Sequence, residues 1–190
     1  MNSDIEISEH SSVETSIDGL LVISARVVTD SRGTVRELFR TSAYQPALGS
    51  DSGRWKQINL TATSQGAIRG LHGEAMNKLV TVACGEAFGA YVDTRPESPT
   101  VGEVATVRLV PGTQVYVPQG VCNGFQATAP GVTEYLYFFD NEWQPGMAGV
   151  ALTPLDPQLG IAWPIAIDPN DRAQISEKDA HAPLLAEVLK

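Results

Sequence analysis

The sequence contains few of the residues that build metal centres or disulfide frameworks. Among its 190 residues are 2 cysteines and 3 histidines, and neither an HxH nor an HExxH pair occurs. Transition-metal sites usually combine several imidazoles with a carboxylate, so a metal site is not expected. Cys84 and Cys122 match no zinc spacing. Two cysteines are enough for one disulfide, but we expect two reduced, buried thiols.

Long apolar runs and an excess of basic charge are also absent. No apolar stretch approaches the roughly 20 residues that cross a bilayer, and residues 1–15 have neither the basic nor the apolar part of a secretory signal. A cytoplasmic protein without membrane contacts is therefore expected. Lys and Arg number 13 against 22 Asp and Glu, a formal net charge of −9. General nucleic-acid binding, which neutralises phosphates, is not expected, although a few arginines in one pocket can still hold a diphosphate.

Signatures of nucleophilic and nucleotide-binding sites are missing as well. The sequence has no GxSxG elbow, no GxGxxG turn and no GxxxxGK[ST] loop. Cys122 has Asn123 beside it but no base nearby in the sequence, and a thiol nucleophile needs such a base. Nucleophilic catalysis and the two common phosphate-cradling folds are therefore weakly supported.

What the chain does contain is a series of short apolar stretches from Trp55 to Phe139, spaced about ten residues apart and separated by breaks with Gly or Pro. Such regular short strands, without long amphipathic helices between them, indicate an all-β barrel or sandwich. Upstream, Leu20–Val28 is predicted to form one strand. We expect a single domain over residues 1–190, with residues 1–16 as a flexible lead-in.

Only short peripheral helices are predicted. One covers the segment SAYQPAL, residues 42–48. Another closes the chain, because apolar residues recur at helical spacing behind a proline suited to a first helical turn; they are Leu184, Leu185, Val188 and Leu189, after Pro183.

The stretch VTEYLYFF, residues 132–139, is apolar on both faces of a strand. Tyr135, Tyr137 and Phe139 share one face, and Leu136 and Phe138 share the other. One face would line the barrel interior. The other needs cover from a second sheet or a second subunit, which favours a dimer.

His72 is the candidate general base, because it alone of the histidines lies within the β-rich part of the chain. Arg69 and Lys78 lie close to it in the sequence, and an imidazole can take and return a proton near neutral pH. A structural or surface role for the histidine stays open, as does a core role for Tyr137. Asp179 ends an S-x-x-D pattern, typical of a helix capping box.

These segments, taken together and in order, resemble the dTDP-4-dehydrorhamnose 3,5-epimerase family over about residues 18–185. The matching pieces are Asp30-Ser31-Arg32-Gly33 with Glu37, Gln57-Ile58-Asn59, Arg69-Gly70-Leu71-His72, Lys78-Leu79-Val80, Gly85-Glu86, Val92-Asp93-Thr94-Arg95 with Ser98-Pro99-Thr100, Val117-Pro118-Gln119-Gly120, Gly124-Phe125, Glu134-Tyr135-Leu136-Tyr137, Asp156-Pro157 with Leu159-Gly160-Ile161, Trp163-Pro164 and Ser176-Glu177-Lys178-Asp179.

The resemblance implies a cupin-type jelly-roll barrel that forms a homodimer and uses no metal or organic cofactor. It implies a dTDP-linked 4-keto-6-deoxyhexose substrate whose C3 and C5 are inverted through an enolate, in the supply of L-rhamnose. A reductase acting on the resulting dTDP-4-keto-L-rhamnose would be a functional partner.

The resemblance also implies roles for individual residues. His72 is the base, Asp179 orients it, Tyr137 is the acid on the opposite face of the sugar, and Lys78 stabilises charge at the C4 oxygen. The expected substrate-binding residues are Arg32, Glu37, Gln57, Asn59, Arg69, Asn123 and Trp143.

Three departures from the family pattern bear on substrate choice. Asn123 stands where the family commonly has histidine, and an amide cannot carry its charge. Trp143 replaces a tyrosine, and the segment GEAMN between His72 and Lys78 is shorter than the usual loop. The alternatives are a mono-epimerase acting at C3 or C5 alone, a non-catalytic sugar-nucleotide-binding cupin, and a metal-dependent cupin.

Overall fold

The computed structural model describes residues 5–49 and 55–190, and the described chain is built mainly from short strands. In chain order they are β1 (Glu6–Ser8), β2 (Ser11–Glu14), β3 (Leu21–Ser24), β4 (Val27–Asp30), β5 (Gly33–Arg36), β6 (Gln57–Ser64), β7 (Ile68–Glu74), β8 (Lys78–Cys84), β9 (Ala87–Asp93), β10 (Val104–Leu109), β11 (Thr113–Val117), β12 (Val121–Ala127), β13 (Val132–Phe139) and β14 (Gly149–Ala151).

Two antiparallel sheets face each other and enclose the main core. One has five strands in the order β10-β9-β12-β7-β14, and the other has six in the order β2-β3-β11-β8-β13-β6. Inward-facing residues from both sheets fill the space between them, including Val80, Tyr91, Phe125 and Tyr135, all of them buried. The rings of Phe125 and Tyr135 stack with centroids 3.9 Å apart. The all-β prediction is confirmed.

The outer face of the six-stranded sheet is covered by helix α1 (Thr41–Leu48). Tyr44 and Leu48 of this helix pack with Leu79 and Phe138, which point outward from β8 and β13. The prediction of a helix over SAYQPAL is confirmed, and so are the two apolar faces of VTEYLYFF. Helix α1 of the same chain covers much of the second face of this strand. The apolar second face of VTEYLYFF is therefore not by itself an argument for a dimer.

The C-terminal segment covers the outer face of the five-stranded sheet. It follows β14, the edge strand of that sheet, and contains a 3₁₀ turn (Pro157–Leu159), helix α2 (Glu177–Ala180) and helix α3 (Leu185–Val188). Leu152 and Leu159 are buried against Leu71 and Val92 of the sheet. The predicted closing helix is present as α3, although it has a single turn and leaves Leu184 and Leu189 exposed.

Two expectations from the sequence need correction, those for Leu20–Val28 and for the burial of Cys84. Leu20–Val28 is not one strand: β3 pairs with β2 and β11, whereas β4 pairs with β1 and β5 in a separate three-stranded sheet. The lead-in, predicted to be flexible, contains β1 and β2; residues 1–4 lie outside the described residues. Both cysteines are free, as expected, but Cys84 is exposed and only Cys122 is buried.

The segment Asp93–Thr100, matched to the family pattern, has a structural role. The fully buried carboxylate of Asp93 accepts hydrogen bonds from Arg95 Nε (2.8 Å), Ser98 Oγ (2.5 Å) and Thr100 Oγ1 (2.7 Å). Burial favours protonation, but these bonds outweigh it and hold the pKa of Asp93 well below its usual range. The ionised carboxylate thereby fixes the turn after β9.

Among the described residues, no helix is long and apolar enough to cross a membrane.

Candidate active site

Inward-facing side chains at one end of the barrel form a polar site. Side chains two positions apart on a strand point to the same face, so His72 and Glu74 on β7 face inward together. Asn123 of β12 is paired directly with His72. Lys78 begins β8 and is paired with Phe139, two residues after Tyr137 on β13. The rest of the space between the two sheets is filled by mainly apolar side chains. The polar, potentially reactive side chains of the barrel therefore gather at this end.

His72 has a carboxylate partner from the far end of the chain. Its Nε2 lies 2.7 Å from Oδ1 of Asp179, a residue of α2. The helix begins at Ser176, whose Oγ accepts a hydrogen bond of 3.0 Å from the main-chain N–H of Asp179. The capping interaction and the histidine contact therefore coexist, because the first uses the main chain of Asp179 and the second its side chain.

A close approach of two strands forms the floor beneath this pair. Gly70 has φ of 111° and a Cβ there would lie 2.6 Å from Cα of Gly124, so a side chain at this position would collide with β12. The Gly70 N–H also donates to Oδ2 of Asp179 at 3.4 Å. Glycine thus lets the backbone of β7 reach the carboxylate that orients His72.

The charge states of the site suit proton transfer. Burial favours a protonated Asp179, but the hydrogen bond from His72, the charge of that imidazole when protonated, and the Gly70 and Ser176 contacts together lower the pKa of Asp179. Asp179 is therefore an anion at neutral pH, able to stabilise an imidazolium. Since Asp179 binds Nε2, Nδ1 is the ring nitrogen left to exchange a proton. Burial, reinforced by the nearby carboxylates of Glu74 and Asp179, raises the pKa of Tyr137 and keeps its phenol protonated.

Lys78 lies deeper than the other polar residues of the site. Its side chain is 3% exposed, and its ammonium donates to the main-chain oxygen of His72 (3.1 Å), to Oδ1 of Asn123 (2.6 Å) and to the carboxylate of Glu74. Burial tends to raise the pKa of Glu74, but the charge and hydrogen bond of Lys78 lower it. The two side chains form a closed ion pair within the site.

Two hollows open onto these residues, and His72, Tyr137, Arg69 and Thr61 line both. The first, of about 440 Å³, is completed by the C-terminal segment and is called the Arg172 hollow. The second, of about 210 Å³, is called the Trp143 hollow; its remaining residues are Asn59, Glu74, Lys78, Asn123, Phe139 and Trp143. An imidazole and a phenol thus face the same space, with cations on either side of it.

Comparison with known proteins gives this arrangement its context. Residues 14–187 match the model of the dTDP-4-dehydrorhamnose 3,5-epimerase family. The chain is 34% identical to the dTDP-4-dehydrorhamnose 3,5-epimerase of Salmonella typhimurium, with 93% of this chain and 96% of that protein covered. The chain belongs to this epimerase family.

Two further relatives differ in the reaction that their names specify. The chain is 32% identical to the dTDP-4-dehydro-6-deoxyglucose 3-epimerase of Streptomyces bikiniensis, covering 90% of this chain and 87% of that protein. It is 33% identical to the dTDP-6-deoxy-D-glucose-3,5-epimerase of Legionella pneumophila, solved in complex with dTDP-4-keto-L-rhamnose, with a TM-score of 0.83 and coverage of 95% and 97% of the two chains. The cupin-type fold expected for the family is confirmed.

The structure brings most of the predicted epimerase site residues to the hollows. His72, Lys78, Tyr137 and Asp179 converge there, joined by Asn59, Arg69, Asn123 and Trp143. Gln57 lies alongside: its side-chain amide donates to Asn59 Oδ1 at 3.1 Å, and its Oε1 accepts from the main-chain N–H of Trp143 at 2.7 Å. Trp143 is 51% exposed, so its indole face is available for stacking.

Arg32 and Glu37 lie elsewhere within the single chain and line neither hollow. Arg32, with a side chain 88% exposed, forms an ion pair with Asp30 at 2.6 Å. Glu37 pairs with Arg40 at 3.0 Å. The locations of the two residues follow from the topology: Arg32 lies between β4 and β5, and Glu37 directly follows β5. These strands belong to the separate three-stranded sheet.

Sequence reasoning overlooked three charged residues of the site. Glu74 falls within the segment expected to be a short loop, although its position two residues after His72 on β7 places both on one face. The sequence assigns no role to Lys178, yet this residue lines the Arg172 hollow and a third hollow that includes Trp143. Arg172, which names the first hollow, carried no recognisable signal in the sequence.

Two other interpretations of the site, a metal centre and a thiol nucleophile, have little support. Within residues 5–49 and 55–190, no three His, Cys, Asp or Glu side chains gather as metal ligands would. Burial raises the pKa of the Cys122 thiol to about 11, so the thiol is protonated at neutral pH and a poor nucleophile.

Proposed function

We propose that this protein epimerises dTDP-4-keto-6-deoxy-D-glucose at C3 and C5 to form dTDP-4-keto-L-rhamnose without a cofactor. The observation that carries the proposal is the His72–Asp179 contact of 2.7 Å on a hollow that Tyr137 also lines. A base held by an anion and a protonated phenol are the two groups that such a reaction needs. The relatives whose names specify dTDP-linked 4-keto sugars support this substrate class.

In this proposal, the C4 ketone makes the hydrogens on C3 and C5 acidic. His72 removes one of them, Asp179 stabilises the imidazolium, and the electrons of the C–H bond move into an enolate at C4. Tyr137 then donates its proton to the carbon from the opposite face. The tyrosinate regains a proton from solvent, and the imidazolium of His72 releases its proton to solvent. Arg69 and Lys78 supply positive charge around the anionic parts of the bound molecule. The same cycle at the second carbon completes the inversion.

The substrate's diphosphate is proposed to lie where cations line the hollows despite the acidic chain. Arg69, Arg172 and Lys178 all border the Arg172 hollow, and Arg69 is held by a bond of 3.0 Å from its Nε to Thr63 Oγ1. Asn123, buried beside Lys78, contributes polarity without charge. The thymine is proposed to stack near Trp143, whose indole offers a flat apolar face.

Hydrogen exchange measures this function directly. When the protein is incubated with dTDP-4-keto-6-deoxyglucose in deuterated water, we expect deuterium at both C3 and C5, read by NMR and mass spectrometry of the sugar. Label at one carbon only would instead assign a mono-epimerase, the activity named for the Streptomyces bikiniensis relative. Binding of dTDP without any exchange would identify a non-catalytic sugar-nucleotide-binding protein and contradict the proposal.

We also propose that the protein acts as a homodimer. Ile58 and Leu60 on the edge strand β6 are 57% and 56% exposed, and they lie beside Phe138 and Leu136 on the outer face of the sheet. Such an apolar strip next to an open strand edge is suited to a second copy of the chain. A second copy would also supply Arg32 and Glu37 to the substrate, which neither can reach within its own chain.

Sedimentation tests the dimer. We expect a dimer at micromolar concentrations, and Leu60→Glu is expected to shift it towards monomer because it places charge in the apolar strip. Val101→Glu is a matched control, since Val101 is also exposed, at 41%, but lies in the turn before β10, a strand of the other sheet. A monomeric unaltered protein with full epimerase activity would contradict the proposal.

A further inference from the structure

The ammonium of Lys78 has no hydrogen left for a substrate. An ammonium carries three N–H donors, and here the acceptors are the main-chain oxygen of His72, Oδ1 of Asn123 and the carboxylate of Glu74. At 3% exposure the side chain has no room to turn towards the hollow without giving up one of these bonds. Direct donation to the C4 oxygen therefore requires that one acceptor release Lys78.

Of the three acceptors, Glu74 is the one free to yield. The oxygen of His72 belongs to the backbone of β7 and is fixed by its strand. Asn123 is 4% exposed within β12. Glu74 has a side chain 24% exposed and borders the Trp143 hollow and the third hollow beyond it. Its carboxylate can rotate into that space and be solvated there.

The strength of the competing acceptor decides when the exchange occurs. A neutral ketone oxygen accepts a hydrogen bond less strongly than a carboxylate does, whereas an enolate oxygen carries a comparable negative charge. Replacement of Glu74 by the ketone is therefore unfavourable, and replacement by the enolate is close to balanced. The interaction with Lys78 is then made mainly in the transition state, where it raises kcat more than it lowers KM.

We infer that Glu74 is a positioning residue that occupies Lys78 in the free enzyme and releases it to the C4 oxygen as the enolate forms. The inference rests on the proposed function. It assigns to Glu74 control over the strength of enolate stabilisation: the tighter the carboxylate holds the ammonium, the later in the reaction Lys78 becomes available.

The test is Glu74→Gln, which keeps the shape and an acceptor oxygen but removes the charge. Because an amide holds Lys78 less tightly than a carboxylate, we expect kcat for deuterium exchange to rise about fivefold while KM stays within about twofold. An unchanged or lower kcat in the folded variant, or a change confined to KM, would overturn the inference.

Two further variants guard the interpretation. Glu86→Gln makes the same chemical change in the Glu86–Arg108 ion pair, which borders neither hollow, and is expected to leave kcat unchanged. If Glu74→Gln does not fold, because Lys78 then lacks a buried counter-charge, Glu74→Asp keeps the charge at a shorter reach and should raise kcat in the same direction; a kcat at or below that of the unaltered protein would then overturn the inference.

The two proposals fail in different ways. Absence of exchange in the unaltered protein would overturn the proposed function and this inference with it. Exchange in the unaltered protein, with no gain in the Glu74 variants, would overturn only the role given to Glu74.

Discussion

His72→Ala is expected to abolish deuterium exchange at both C3 and C5, lowering kcat by about 10³-fold, within the range that a general base contributes. One imidazole serves both abstractions in the proposed cycle, so both carbons should lose exchange together. The measurement is the rate of deuterium incorporation by NMR, with dTDP affinity measured in parallel. We expect that affinity to change little, because His72 takes part in proton transfer rather than in holding the nucleotide.

His181→Ala is the matched control for this variant. His181 ends α2, where its Nδ1 lies 2.9 Å from the main-chain oxygen of Glu177, and it borders neither hollow. Its loss should leave the exchange rate unchanged. Added imidazole is expected to restore part of the activity of His72→Ala, since the side chain it replaces is 34% exposed. Near-normal turnover in His72→Ala would disprove the mechanism.

Tyr137→Phe is expected to separate proton removal from proton delivery. Product formation should fall about 10²-fold, a typical loss for a missing general acid, while some exchange of the substrate C–H persists because His72 and Asp179 are intact. The phenyl ring should keep its packing against Tyr135 and Phe139, with centroids 4.8 and 5.6 Å away. The loss is therefore expected in kcat and not in thermal stability.

Tyr135→Phe controls for removal of a hydroxyl from the same strand face. Tyr135 is fully buried and borders neither hollow, so its variant should epimerise normally. If Tyr137→Phe formed product at the unaltered rate, another group would have to be the acid. Equal loss of exchange and product formation would instead show that the phenol assists the first proton transfer.

The barrel was predictable from the sequence because its strands are regular, short and bounded by turns. The division of Leu20–Val28 between two sheets was not, since nothing within this stretch specifies which distant strand each half will pair with. Strand pairing is decided by partners far away in the sequence, such as β11 for β3. Local pattern identifies an extended segment and leaves its neighbours unspecified.

The site residues likewise include some that local sequence identifies and some that it does not. His72 stood out locally, as a lone histidine among cations, but its pairing with Asp179 came only from family resemblance because 107 residues separate the two. Glu74 escaped notice because its importance arises at a corner: the chain passes from one sheet to the other between β7 and β8, which sets the carboxylate against Lys78. Arg32 and Glu37 show the reverse, since the family pattern names them while the fold of one chain leaves them apart.

The position of Asp179 makes the His72–Asp179 pair depend on docking of the segment that follows the barrel strands. The barrel strands end with β14 at Ala151, whereas Asp179 arrives with α2, which is held in place by a segment packed on the outside of the five-stranded sheet. A chain that had closed its barrel but not yet docked this last stretch would possess the imidazole without the anion that orients it. In the proposed mechanism, the base is therefore complete only once α2 has docked beside His72.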